Sequence, residues 1–140
     1  MKTYVKIALG VVFFLAIAGI GTGIYLFNLK PKNLSRVKAD FVITAPDIEK
    51  AFEENEAAAT ARYVGKVIEV SGEISAVKPG ENSSVSISLK TGNDMSSVIC
   101  TFPPASKTEG LSAGQAVVIH GDCSGYLMDV LLNNCAVASK

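Results

Sequence analysis

The sequence predicts a mainly β domain, a five-stranded barrel preceded by an α-helix, joined to a separate apolar helix at the N-terminus. Three observations carry that prediction. Residues Ile7 to Leu29 contain no charged side chain. Apolar residues between Ile48 and Ala59 recur at helical spacing. From Lys66 onward, short alternating runs of apolar and polar residues are separated by turns rich in Pro, Gly and Asn.

The N-terminal run comes first. Its 23 residues are flanked by Lys2 and Lys6 on one side and by Lys30 and Lys32 on the other. At about 1.5 Å per residue it reaches roughly 35 Å, enough to cross a hydrocarbon core of about 30 Å with some tilt. It exceeds the ~7–15 residues of a signal h-region and ends without a small-x-small cleavage site. No cysteine precedes Cys100, which excludes a lipoprotein signal within this sequence. A single-pass membrane anchor through residues 7–29 is therefore expected, with the bilayer as its partner. Gly19 and Gly23 form a G-x-x-x-G pair inside it, a candidate homodimer contact, although such pairs are common in apolar helices. The chain then divides into an anchor over residues 1–29, a juxtamembrane linker over 30–43 and a folded domain over 44–140.

Charge is distributed unevenly. All 13 Asp and Glu residues lie at or after Asp40, and from Ala39 onward they outnumber Lys and Arg by six. An acidic domain argues against nucleic-acid binding, whose affinity rests on neutralising phosphates. Basic flanks on both sides of the span leave orientation divided. Counting them slightly favours a cytoplasmic domain. The three cysteines favour export, and the expectation is a domain outside the cytoplasm.

Thr44-Ala-Pro-Asp47 reads as a helix start. Thr44 can cap, Pro46 suits the first turn, and Asp47 meets the free amides. Ile48, Ala51, Phe52, Asn55 and Ala59 share one face, and the helix ends near Tyr63, before Gly65. Ile68, Val70, Ile74 and Ala76 alternate with Glu69, Ser71, Glu73 and Ser75 in a first long strand. Val85, Ile87 and Leu89 mark a second strand, and Val98 to Phe102 a third. Ala105 to Leu111 suggest one irregular helical turn. Ala116 to Cys123 and Asp129 to Val137 complete five strands. A Greek-key barrel of the OB type is the simplest closure of such a set, because closing removes the sheet edges.

The run from Ala51 through Arg62-Tyr63-Val64-Gly65-Lys66 to Gly72-Glu73-Ile74 resembles the opening of the bacterial tRNA_anti-like OB-fold family. Further matches are Ser97 to Phe102 around Cys100, Gly114-Gln115, and Gly121 to Val130 with Cys135. The resemblance spans roughly Ile48 to Val137. It implies an OB-fold in a small secreted or membrane-attached protein without an established reaction. It carries over no nucleic-acid-binding residues, since the family's name rests on a fold-level analogy.

Residues with chemical potential are few. Cys123 and Cys135 flank the last hairpin and are the first choice for a disulfide. Cys100–Cys135 competes, and three reduced core cysteines are the alternative. His120, the only histidine, reads as a surface side chain. With Asp122 and Cys123 it makes no metal set, because strand parity sends Cys123 to the opposite face. Cys100, His120 and Asp129 could be drawn as a nucleophilic group, but the neighbours of Cys100 suggest an inert interior thiol. No catalytic motif occurs, so no enzyme activity, metal or cofactor is expected. The usual OB ligand face would present Ser86, Ser88, Lys90 and Thr101, with Tyr126 in a nearby turn. It lacks the aromatic platform of single-strand binders. The expected role is a membrane-anchored binding or scaffolding module for a protein or an envelope glycan, with nucleic-acid binding as the alternative.

Overall fold

The computed structural model describes residues 2–27 and 34–138. It divides the chain into two units, Met1–Pro31 and Lys32–Lys140. The first contains one helix, α1, Lys2–Phe27. Every side chain from Lys2 to Leu26 is exposed within this unit. The hydroxyl of Thr22 donates to the Ala18 carbonyl at 2.8 Å, satisfying a polar group along the helix itself. Length and composition suit a membrane span or a signal sequence alike. The end of the apolar run at Asn28 and Leu29, and the closing Lys30 and Lys32, lie outside the described residues.

The second unit starts earlier than the sequence suggests. Residues 34–43, expected to be linker, pack on the barrel. Leu34–Arg36 form a 3-10 turn, and Leu34 is buried. Asp40 fastens the next segment: its amide donates to the Val67 carbonyl at 2.8 Å, and its carboxylate accepts from the Val67 amide at 3.0 Å. The chain then runs as β1, Phe41–Thr44, parallel to the first barrel strand with Phe41 opposite Ile68.

Thr44 caps the following helix as its sequence predicts, accepting from the Asp47 amide at 3.3 Å. One continuous helix was expected, but two form: α2, Ala45–Glu54, and α3, Glu56–Tyr63. Asn55 causes the break. Its φ of −157° leaves the helical region, and its side chain caps α3 by accepting from the Ala58 amide at 3.0 Å. Gly65, with φ +79°, then turns the chain into the barrel, a conformation that costs a glycine little.

The barrel strands are β2 (Val67–Pro79), β3 (Val85–Lys90), β4 (Ser97–Phe102), β5 (Ala116–Leu127) and β6 (Asp129–Val137). Their order is β2-β3-β4-β6-β5, and β5 returns to pair with β2, closing five strands while β1 extends the sheet beside β2. Between β4 and β5 there is no helix, only turns, in place of the irregular helical turn expected there. Alternate residues fill the interior, including Ile68, Val70, Ile74, Ile87, Leu89, Val98, Phe102, Ile119 and Leu132. Ala45, Ile48 and Phe52 of α2 join this core, so the helix's apolar face is held by the barrel. Phe52 also stacks on Tyr126 with ring centroids 5.3 Å apart.

The predicted Cys123–Cys135 bridge does not form. All three cysteines are free and buried. Cys123 lies opposite Leu132 in the β5–β6 ladder. Cys135 is three residues further along, about 10 Å at strand rise, beyond the ~4.4–6.8 Å Cα separation that a disulfide spans. Its thiol contacts the Leu132 carbonyl at 3.4 Å. A Cβ at Gly121 would lie 2.7 Å from that sulfur, so the backbone of β5 passes directly over it.

Candidate functional site

Two concave surfaces mark the outside of the barrel. The smaller, about 400 Å³, includes Ser75, Lys78, Ser88, Lys90, Ser97 and Asp129. It lies over β2, β3 and the 91–96 loop, where an OB ligand face was expected. Strand register brings Ser86 opposite Thr101 and Ser88 opposite Ile99. The Ser75 hydroxyl donates to the Ser88 carbonyl at 3.1 Å. Of the residues expected on the ligand face, Ser88 and Lys90 line this groove, while Ser86 and Thr101 lie further along the β3–β4 ladder and outside it.

Lys90 stands between this groove and a larger one. Its ammonium is 2.5 Å from Glu73 Oε1, and both side chains are about half exposed. Such a pair is screened by water and stabilises little, but it neutralises the cation. The larger cleft, about 970 Å³, is bordered by Thr44, Glu69, Ser71, Glu73, Leu111 and Val118. Its walls come from β1, β2, β5 and the β4–β5 connection. Sequence reading missed it because its sides are distant in the chain; only the outward carboxylates at Glu69 and Glu73 gave a local sign.

Tyr126 does not line the groove with Ser88 and Lys90. It stacks on Phe52 at the α2 side of the barrel. Desolvation raises its hydroxyl above the ordinary value, and the carboxylates of Glu53, Glu49, Glu56 and Asp129 raise it further. The tyrosine is a packing residue amid acids, not a stacking platform over the groove.

His120 is buried, contrary to the surface position expected. It sits opposite Glu69 in the β2–β5 ladder. Nδ1 lies 2.8 Å from the Leu34 carbonyl and Nε2 lies 2.7 Å from Glu69 Oε2. A carbonyl only accepts, so Nδ1 carries a proton; Nε2 donates to the carboxylate when the ring is cationic. The histidine therefore ties the 3-10 turn to the barrel wall.

The nucleophilic group drawn from sequence does not assemble. Cys100 is in the core, His120 is held as above, and the Asp129 carboxylate accepts from the Ser97 amide at 2.7 Å and its hydroxyl at 2.9 Å. Burial pushes the Cys135 thiol far above its ordinary value, and the adjacent Cys100 thiol adds to that. Burial likewise raises Cys123, against a backbone hydrogen bond from Gly125 that lowers it. Among the described residues no group of three His, Cys, Asp or Glu side chains converges on a metal position.

Strand order, closure and the outward groove define an OB-fold protein with an apolar N-terminal helix. The chain belongs to the tRNA_anti-like family, whose model matches residues 1–137. It is also similar in fold to a solved structure from Klebsiella pneumoniae, described as a "putative nucleic acid-binding lipoprotein". That likeness has a TM-score of 0.59 at 19% identity and covers 69% of this chain and 91% of the other. No curated protein matches the sequence.

Proposed function

We propose that this protein is a membrane-tethered OB-fold binding module without enzymatic activity, and that its groove receives a protein segment. One observation carries the reading. The concave surfaces combine hydroxyl and apolar side chains with carboxylates; in the smaller groove Lys78 and Lys90 stand with Asp94 and Asp129, and Lys90 is paired with Glu73. Phosphates brought into the larger cleft would find Lys90 already paired with Glu73 and would face the carboxylate of Glu69. A nucleic-acid surface needs the reverse: uncompensated Lys and Arg, and exposed aromatic faces. The tether follows from α1 and belongs to this proposal; the export expected from the cysteines loses its support, because all three are free and buried. The Klebsiella protein's description favours the nucleic-acid alternative, but identity at that level speaks to fold only.

The test is a photo-crosslinking residue placed at Ser88 in the full chain, activated in intact membranes. Adducts that collapse on protease treatment and survive nuclease are expected. Nuclease-sensitive adducts, or salt-dependent oligonucleotide binding by the full chain with Kd below about 1 μM at physiological salt, would contradict the reading.

A further inference from the structure

The end of the barrel beside α2 carries an apolar patch. Met95, Leu127 and Met128 are 78%, 77% and 67% exposed. They are distant in sequence but fixed together. The Asp129 carboxylate binds the Ser97 amide and hydroxyl, which joins the 91–96 loop to the β5–β6 turn. On its other side, the loop is tied to α2: Asn93 Nδ2 donates to Glu53 at 3.3 Å, and the Ser96 hydroxyl donates to Glu49. The Met95 amide donates to Asn93 Oδ1 at 3.0 Å. Met128 stands at the apex of the hairpin with φ 66°, a left-handed position that favours Gly or Asn. An exposed apolar side chain there is not what turn chemistry selects.

The surroundings are acidic. Glu53, Glu56 and Asp94 are exposed around this end, and Asp129 is half-buried within it. Neither the 91–96 loop nor the chain from Thr108 to Ser139 contains a lysine or arginine. An anionic lipid surface would be repelled, and a second copy of the same patch would bring like charges together. Exposed methionines adapt to varied apolar shapes.

We infer that this end of the barrel is a docking surface for a basic amphipathic segment of a protein partner, its apolar side on Met95, Leu127 and Met128 and its cations on Glu53, Glu56 and Asp94. The surface adjoins the Ser88 groove, since Asp94, Met95 and Asp129 line that groove as well, whereas Glu53, Glu56, Leu127 and Met128 lie outside it. Leu127→Ser therefore separates the two readings, because it should weaken peptide binding and leave the Ser88 crosslink unchanged.

The sequence provides its own reporters. Met95 and Met128 are two of only three methionines, the other being Met1. The full chain, labelled with 13C on its methionine methyls and placed in phosphatidylcholine nanodiscs, is titrated with a 14-residue helical peptide of Leu and Lys. Saturable shifts are expected at both Met95 and Met128 and not at Met1. The matching Leu/Glu peptide is expected to produce none. Leu127→Ser should weaken binding at least tenfold, and Glu56→Gln with Asp94→Asn severalfold. No response, an equal response to the acidic peptide, or unchanged affinity in Leu127→Ser would overturn the inference. So would shifts produced without peptide by adding phosphatidylglycerol, which would assign the patch to lipid.

Discussion

α1 and α2 are both apolar enough to need cover, and they find it differently. α2 is amphipathic. Its buried residues, Ala45, Ile48, Glu49 and Phe52, lie on one side, and the barrel receives them. α1 has no such side: it is apolar nearly all round, and nothing within its own unit covers the side chains from Lys2 to Leu26. A helix with one greasy face names protein as its partner, while a helix greasy on every face requires an apolar solvent. The same residue types thus build a plug in one region and a helix long and apolar enough to span a membrane in the other.

Removing the plug should have the largest effect. Phe52 is 1% exposed and touches both the core and Tyr126. Phe52→Ala is expected to lower unfolding free energy by about 3–5 kcal/mol, read from urea melts of the full chain in detergent. A loss below 1 kcal/mol would mean that the barrel does not depend on α2.

Alkaline pH should weaken the barrel next. Cys123 and Cys135 hold their protons above the ordinary thiol value of 9.0 because they are buried. Their contribution is complete below that value and is lost as pH rises past it, since only the unfolded chain can then release those protons. The slope approaches about 1.4 kcal/mol per pH unit for each thiol. Native thiols should also resist alkylation at pH 8 until the chain unfolds. Rapid labelling of Cys135 in the folded protein would contradict the burial.

His120 offers the smallest of these effects and the sharpest boundary test. His120→Ala removes the tie to Leu34 and Glu69 and is expected to cost about 1–3 kcal/mol. It should also open Arg36 and Lys38 to trypsin. Unchanged protection at those sites would mean that Leu34 alone holds the segment.

Most of the fold was legible. Period-two alternation located β2 and β3, apolar runs bounded by turn residues located β4, β5 and β6, and Thr44 with Asp47 located the start of α2. Three features were hidden for physical reasons. The break at Asn55 depends on one side chain capping instead of continuing. The packing of Leu34 and His120 joins residues 86 apart, which no local pattern reveals. The Cys123–Cys135 bridge fails because the hairpin folds about Met128 and sets Leu132, not Cys135, opposite Cys123, and Tyr126 is held at α2 by its stack on Phe52; neither contact is encoded in local alternation. Of the candidate site, Ser88 and Lys90 could be read directly, but the larger cleft and the Met95–Leu127–Met128 patch arise only when distant loops meet.

The central claim is that α1 stays on the chain and tethers it. The direct measurement is alkaline-carbonate extraction of membranes from cells making the untagged protein, followed by intact-mass determination. The account predicts a full 140-residue chain remaining in the membrane pellet. A shortened species lacking α1 and released to the supernatant would contradict it.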